Sequence, residues 1–276
     1  MLFETHETGH KAADLIESIF HFKGFEPDHS IERVVPTGHV FVIFELDDMQ
    51  RHTYDNETLV PNADFRKAWV SGDHQNYISI SAHPDSEMFV IQFKAYGAYP
   101  FLHRPLHELV ERVAPAEEFE TAELIALREQ LYEAEDSQAK FAVADEWLAQ
   151  KYQQDLNPPS TVVDIVKLLQ EQPASKLKEI LSSFDGSQKH LISQFRKYIG
   201  LTPKQYQRVL RFNDVFQLMQ GDQFLSWSDI AHRCGYSDQS HFIREFKHFS
   251  GFNPESFLKQ EFDEDASNFF PLDRQG

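Results

Sequence analysis

The stretch that decides the fold occurs twice. Ile192-Ser-Gln-Phe-Arg-Lys-Tyr-Ile-Gly-Leu-Thr-Pro203 is repeated in pattern by Ile243-Arg-Glu-Phe-Lys-His-Phe-Ser-Gly-Phe-Asn-Pro254. At an offset of 51, Phe195 corresponds to Phe246, Arg196 to Lys247, Tyr198 to Phe249, Gly200 to Gly251 and Pro203 to Pro254. Self-similarity at a fixed offset marks a duplicated structural unit. Each unit closes a helix on glycine, which takes the left-handed C′ conformation without a Cβ penalty. The Thr-Pro or Asn-Pro that follows stops one helix and starts the next.

Upstream of each unit the spacing predicts another short helix and a tight turn. Leu177, Ile180 and Leu181 share an apolar face before Phe184-Asp-Gly-Ser187, and Trp227, Ile230 and Ala231 do so before Gly235-Tyr-Ser-Asp238. Ser187 in the first copy, and Ser237 or Asp238 in the second, supply N-caps. Helix, Gly-containing turn, helix is the helix-turn-helix layout. Burying Leu191 with Phe195, and Phe242 with Phe246, leaves one face of each second helix outward. That face carries Lys189, Ile192, Ser193, Arg196 and Lys197 in the first copy, and Gln239, Ser240, Ile243, Arg244 and Lys247 in the second. Gln and Arg read base edges, and Lys and Arg hold phosphates. Ser160 to Gln172 predicts a supporting helix through Ile165, Leu168 and Leu169. Lys204 to Gln220 predicts one long connector with Tyr206, Leu210, Phe216 and Met219 apolar. A rigid connector holds the two outward faces at fixed separation, and successive major-groove entries lie about 34 Å apart. The alternative is a helical bundle whose basic residues are merely solvated; the duplication and the basic outward positions weigh against it.

Charge at first argues the other way. The chain has 276 residues, 44 acidic and 26 basic, for a net charge of −18. Resolved by segment, residues 1–157 carry 29 acids and 12 bases, a net −17, whereas residues 158–260 carry 10 and 13, a net +3. Residues 261–276 carry five acids (Glu261, Asp263, Glu264, Asp265, Asp273) and Arg274, a net −4. Such asymmetry points to a nucleic-acid-binding part. The break falls at Asn157-Pro158-Pro159-Ser160. The expected organisation is therefore a domain at 1–157, a second at 158–262 and an acidic tail at 263–276. The acidic first part should repel DNA and lower non-specific affinity. With 41% hydrophobic residues the chain can bury a core. No apolar run reaches the ~18 residues of a membrane span, and Met1 to Ala12, with Glu4 and Glu7, does not read as a secretory leader. A single cysteine, Cys234, excludes an internal disulfide and a multi-cysteine zinc site. A cytoplasmic location is expected.

The first part reads as β-rich. His39 to Leu46, Lys67 to Ser71, Tyr77 to Ser81 and Met88 to Phe93 are β-branched and aromatic runs separated by short polar stretches, which suggests a small sandwich or barrel. Lys11 to Phe22 fits either a short helix or an edge strand. Arg104 to Val113 reads as a short helix. Thr121 to Ala134, with Leu124, Leu127 and Leu131 on one face, and Gln138 to Tyr152, with Phe141, Ala144, Trp147 and Leu148, read as a helical hairpin. That hairpin packs either on the β layer or on a second copy of the chain. His103 and His107 are four apart, but Pro105 disrupts the register, and two surface histidines are the plainer reading. His39, His74 and His83 fall at strand ends or turns, where solvated histidines are ordinary, and Asp47-Asp48 reads as a polar turn. No His-x-His pair, phosphate loop, dinucleotide fingerprint or Gly-x-Ser-x-Gly elbow occurs. No catalytic residue, metal ligand or cofactor is expected.

On these residues the stretch from Val162 to Leu258 resembles the DNA-binding domain of the AraC/XylS family of bacterial transcription regulators. Ile230-Ala-His-Arg-Cys-Gly-Tyr-Ser-Asp-Gln-Ser-His-Phe-Ile-Arg-Glu-Phe-Lys247, with Gly251 and Pro254, is close to that family's signature, and Ser187 to Pro203 with Tyr206-Gln-Arg-Val-Leu-Arg211 matches its first half. The resemblance implies seven helices with two helix-turn-helix motifs entering adjacent major grooves. It places base reading on Lys189, Ile192 and Ser193, and on Gln239, Ser240, Ile243 and Arg244, with Arg196, Lys197 and Lys247 on phosphates. Ile192 and Ser193 depart from the polar, often Gln-Arg, pair of many members; Ile192 can touch a thymine methyl but cannot donate a hydrogen bond. The first part, with Val35-Pro36-Thr37-Gly38 before an apolar strand, resembles an uncharacterised N-terminal domain of some members. Sensor domains in the family are often cupin-like barrels, and the missing His-x-His argues against an enzyme. The expected fold is α+β: a small cupin-like β-barrel or sandwich with a helical hairpin, then an all-α domain. The expected function is sequence-specific transcription regulation. Expected partners are double-stranded DNA, a small-molecule effector, RNA polymerase and a second copy of the chain. Two alternatives are a cupin-type enzyme with an accessory helical domain and a repair regulator with Cys234 as a reactive thiol; the place of Cys234 on a packed helix favours a small buried hydrophobe.

Overall fold

A computed structural model describes residues 1–119, 122–182, 184, 186–220, 226–257 and 268–273. Nine strands come first: β1 (Leu2–His6), β2 (Ile16–Phe25), β3 (Ile31–Val34), β4 (Val40–Glu45), β5 (Arg51–Tyr54), β6 (Pro61–Phe65), β7 (Ala68–Ser71), β8 (Ile78–Ser81) and β9 (Ser86–Phe93). Then follow α1 (Tyr99–Leu102), β10 (Val113–Pro115), α2 (Glu123–Glu133) and α3 (Ser137–Lys151). The helical half holds α4 (Ser160–Glu171), α5 (Leu177–Ser182), α6 (Gln188–Tyr198), α7 (Pro203–Gln220), α8 (Trp227–Arg233), α9 (Gln239–Ser250) and α10 (Pro254–Phe257), and β11 (Phe269–Pro271) comes last.

The strands form two open antiparallel sheets, β1-β2-β9-β4-β7-β10 and β11-β3-β8-β5-β6. The expected barrel or sandwich is thus a sandwich; among the described residues neither sheet closes on itself. Alternation explains the layering, because successive side chains of a strand point to opposite faces. Phe44, Phe89 and Phe93 are fully buried, and Phe89 meets Phe141 of α3 while Phe93 meets Phe101 of α1, with ring centroids 5.6 and 5.3 Å apart. Each such ring contributes about 1.5–3 kcal/mol by leaving water. The α2–α3 hairpin therefore spends its apolar face inside the chain. Arg128 of α2 fastens it by donating to the carbonyls of Glu45 and Asp47. Between the sheets, Glu45 of β4 pairs with Arg51 of β5 at 2.9 Å and accepts from the Trp69 indole at 3.0 Å. Burial pushes the Glu45 carboxyl up to about 7 against the pull of Arg51.

Four expectations change. Lys11 to Phe22 is neither helix nor edge: a 3-10 turn at Ala13–Leu15 leads into β2, which lies between β1 and β9. A register shift between Ile16 and Ser18 breaks the alternation that would have revealed it. Arg104 to Val113 supplies only a 3-10 turn at Leu106–Glu108: Pro105 stays extended at ψ 125°, and Glu111, at φ 59°, turns the chain into β10. His74 is not solvated. It is buried, and burial pulls its imidazole down to about 4.

The fourth change concerns the acidic tail at 263–276, of which residues 268–273 are described. They are not a free tail but a strand. β11 pairs with β3 through Phe269–Val34, Phe270–Arg33 and Pro271–Glu32, so the far end of the chain completes a sheet of the first domain. Asp273 closes the join by accepting from the Ser30 and Ile31 amides at 3.0 and 2.8 Å and from the Ser30 hydroxyl. The three apolar residues Phe269-Phe270-Pro271 are hidden in the sequence by the acids before them.

Candidate nucleic-acid interface

The repeat read from the sequence is a repeat in space. α5–α6 and α8–α9 are two helix-turn-helix units, and the start of α6 at Gln188 and of α9 at Gln239 keep the offset of 51. Phe195, Phe242, Phe246 and Phe249 are fully buried. Leu191 is only half-buried, so the first copy packs less tightly at that position than its counterpart Phe242. The connector expected over Lys204 to Gln220 is α7, and its Phe212 packs against Phe246 and Phe249 at 5.7 and 5.0 Å.

Polar anchors fix each unit to α7, and sequence reasoning missed them. Arg208 donates twice to Glu245 of α9, both bonds at 2.8 Å, the planar fork matching the carboxylate. This pairing holds the Glu245 carboxyl below its ordinary range, although burial alone would raise it. Toward the first unit, Gln207 and Arg211 donate to the carbonyls of Pro173 and Ser175, in the turn that precedes α5. A polar triplet on a connector between two apolar units was the available signal.

Capping differs between the copies. Asp238 accepts from the His241 amide at 2.8 Å at the start of α9, and Ser226 with Asp229 forms a capping box on α8. Ser187 occupies the N-cap of α6 but makes no side-chain bond there. α9 ends on Gly251 at φ 72°, as the glycine pattern requires.

The expected contact residues fall as follows. Lys189, Ser193 and Arg196 are exposed on α6, and Ile192 is half-buried. Gln239, Ser240, Arg244 and Lys247 are exposed on α9, and Ile243 is half-buried against the core. Lys197 lies elsewhere: its ammonium sits 4.6 Å from the Tyr99 ring of α1 and 5.2 Å from that of Tyr198. Burial would lower its pKa, but the two tyrosines hold it above the ordinary lysine value. Lys197 thus faces the β-rich domain. Cys234 is buried, and burial pushes its thiol up to about 12, which suits a packing residue and not a nucleophile. His103 and His107 do not share a helix face; His103 ends α1 in a left-handed conformation and its ring bonds the Pro100 and Lys151 carbonyls. Among the described residues no three His, Cys, Asp or Glu side chains are grouped to hold a metal ion, and no helix is long and apolar enough to cross a membrane.

Comparison with known proteins agrees with this geometry. Residues 182–260 match the family described as a helix-turn-helix domain, and residues 9–115 match a domain of unknown function, DUF6597. Over 75 residues the chain is 33% identical to the HTH-type transcriptional activator RhaS of Escherichia coli O9:H4 (strain HS), covering 27% of each protein. The chain therefore spans about a quarter of the length of the curated relatives it matches. Among solved structures, ToxT from Vibrio cholerae O395 aligns over 93% of this chain and 97% of its own at 14% identity, with a TM-score of 0.44. The xylose-binding transcription activator XylR aligns over 44% and 38% at 16% identity, with a TM-score of 0.34. Residues 182–260 of this chain are a helix-turn-helix domain.

Proposed function

We propose that the chain is a sequence-specific DNA-binding transcription regulator that reads two adjacent major grooves through α6 and α9. One observation carries this reading: two equivalent helices, anchored to one connector, each keep a polar and basic face exposed. Gln239, Ser240 and Arg244 take base edges, since Gln and Arg offer paired donors and acceptors. Lys189, Ile192 and Ser193 form the weaker reader, and Arg196 and Lys247 hold phosphates. Lys197 acts mainly at the domain junction. RNA polymerase and a second copy of the chain belong to this reading as partners, and the protein works in the cytoplasm. A small-molecule effector acts on the first domain, where a cleft of about 480 Å³ has an apolar wall that includes Phe101, Phe119 and Trp147 and a polar side where Arg104 pairs with Glu108 and Lys151 with Glu123.

Equilibrium binding of the full chain to a duplex recovered by selection tests the reading. Four cations (Lys189, Arg196, Arg244 and Lys247) meeting phosphates or bases give a slope of log K against log salt of about −3.6, a loss of roughly 10² between 50 and 200 mM salt. Binding that ignores salt, or recovers no preferred sequence, overturns it.

A further inference from the structure

We propose that the β-rich domain is a brace that fixes the separation of α6 and α9, so that operator spacing is set by the first domain as well as by α7. The inference rests on the DNA-binding reading above. Its origin is a second use of the repeat. Gly200 and Gly251 occupy the same position in the two copies, both in the left-handed region at φ 93° and 72°. Helix closure explains the conformation, but it does not explain what lies against them. A Cβ on Gly200 would stand 2.8 Å from Val110 Cγ2 and 3.1 Å from the Leu106 carbonyl. A Cβ on Gly251 would stand 2.6 Å from Tyr77 Cζ and 2.8 Å from Arg33 Cζ. Equivalent ends of the two recognition helices are therefore seated on the same domain, at two different places.

Each seat has its own lining. Under α6, Tyr99 meets Tyr198 edge-on at 5.2 Å with Lys197 over the Tyr99 ring. Under α9, the Arg33 guanidinium lies between Tyr77 and Phe252, 4.5 Å from each ring centroid. α7 is held to the same domain between the seats: Gln205 donates to the Gln75 side-chain Oε1 at 2.6 Å and Asn213 to the Thr37 backbone carbonyl at 3.2 Å. β11 is the fourth tie. Its backbone belongs to the first domain's sheet, while its Phe270 is buried among Phe216, Phe252 and Phe257 at 5.6, 6.2 and 5.0 Å. The exposed readers Lys189, Gln239 and Ser240 lie in the first turns of α6 and α9, at the ends away from these seats.

The consequence is geometric. One added base pair moves the second groove segment by about 3.4 Å and turns it by about a tenth of a turn. Close-packed seats do not yield by such distances, so a braced reader rejects the altered spacing, whereas a pair held by α7 alone tolerates it better. Gly200, Gly251 and Phe270 are positioning residues in this account and touch no DNA.

The test measures spacing preference in the full chain. Duplexes carry the two selected half-elements with the natural spacer, or with one base pair added or removed. For the wild type the altered spacers should cost at least tenfold in affinity. Phe270→Ala, and separately the double variant Gln75→Ala with Asn213→Ala, should shrink that penalty to threefold or less. Affinity for a single isolated half-element should stay within twofold of wild type, which a merely unfolded variant would not show. The double variant removes only polar contacts at the junction and guards against misfolding of Phe270→Ala. If both variants keep the wild-type spacing penalty, the brace is wrong and the DNA-binding reading stands. If the wild type binds no duplex, the DNA-binding reading fails and the brace with it.

Discussion

The two helix-turn-helix copies share a scaffold and differ in nearly everything laid over it. Phe195 and Phe246, Tyr198 and Phe249, Gly200 and Gly251 do the same work in each. Yet the second copy has a capping box on α8, a capped α9 and the Arg208–Glu245 fork, while Ser187 of the first caps nothing. The second copy exposes Gln239, Ser240, Arg244 and Lys247 around a half-buried Ile243; the first exposes Lys189, Ser193 and Arg196 around the equivalent half-buried Ile192 and turns Lys197 toward the β-rich domain. Duplication has preserved packing and, on the proposed DNA-binding reading, divided the labour, with the second copy the stronger base reader and the first the weaker.

Shared packing is the premise with the largest expected effect. Phe246→Ala and Phe195→Ala should each cost about 3–5 kcal/mol in chemical unfolding, since both rings are fully buried. A large loss at Phe246 beside a trivial one at Phe195 would break the equivalence. Divided labour comes next. Arg244→Ala should cost about 1–3 kcal/mol on the selected duplex and flatten base preference at one position. Ser193→Ala should change binding by less than about 0.5 kcal/mol; the reverse ranking would exchange the roles of the copies.

The seats of the two copies also differ in chemistry. Beneath the first, Asp73 accepts through its backbone carbonyl from Glu111, and its buried carboxyl is pushed up to about 8 by burial and by Glu111. Tyr206 faces the same acid from α7. Beneath the second lies Arg33, charged at any working pH. A carboxyl whose folded pKa exceeds its unfolded value favours the native state at low pH and loses that contribution as pH rises from about 4 to about 8. His74, pulled down to about 4, acts in the opposite sense but only below its ordinary 6.5. Between pH 6.5 and 8 Asp73 is left unopposed by His74, and its titration should remove about 2 kcal/mol. Asp73→Asn should abolish most of that decline in thermal unfolding across this window. An unchanged pH profile would refute the titratable seat. The smallest effect belongs to the caps: Asp238→Ala should cost about 1 kcal/mol and Ser187→Ala a few tenths.

What could be read from the chain follows the range of the interactions involved. The repeat was legible because glycine and proline punctuation and aromatic spacing act over a few residues. The same holds for α7 and for the α2–α3 hairpin. Sheet order was not legible, because pairings such as β2 with β9 or β7 with β10 join segments far apart in the chain and leave no local mark. β11 was the extreme case, three residues whose partner is residues 31–34. The exposure of Lys189, Ser193 and Arg196, and of Gln239, Ser240, Arg244 and Lys247, followed from helical periodicity, whereas the turn of Lys197 toward Tyr99 depends on a domain junction that no spacing announces. Total charge misled until it was divided by segment.

A groove-protection footprint of the full chain on its selected duplex tests the central claim most directly. Two protected major-groove segments, centred about one helical turn apart on one face of the DNA, are the expected result, with Arg244→Ala losing protection at a base within the second segment only. A single protected segment, or protection that Arg244→Ala leaves untouched, would contradict the account.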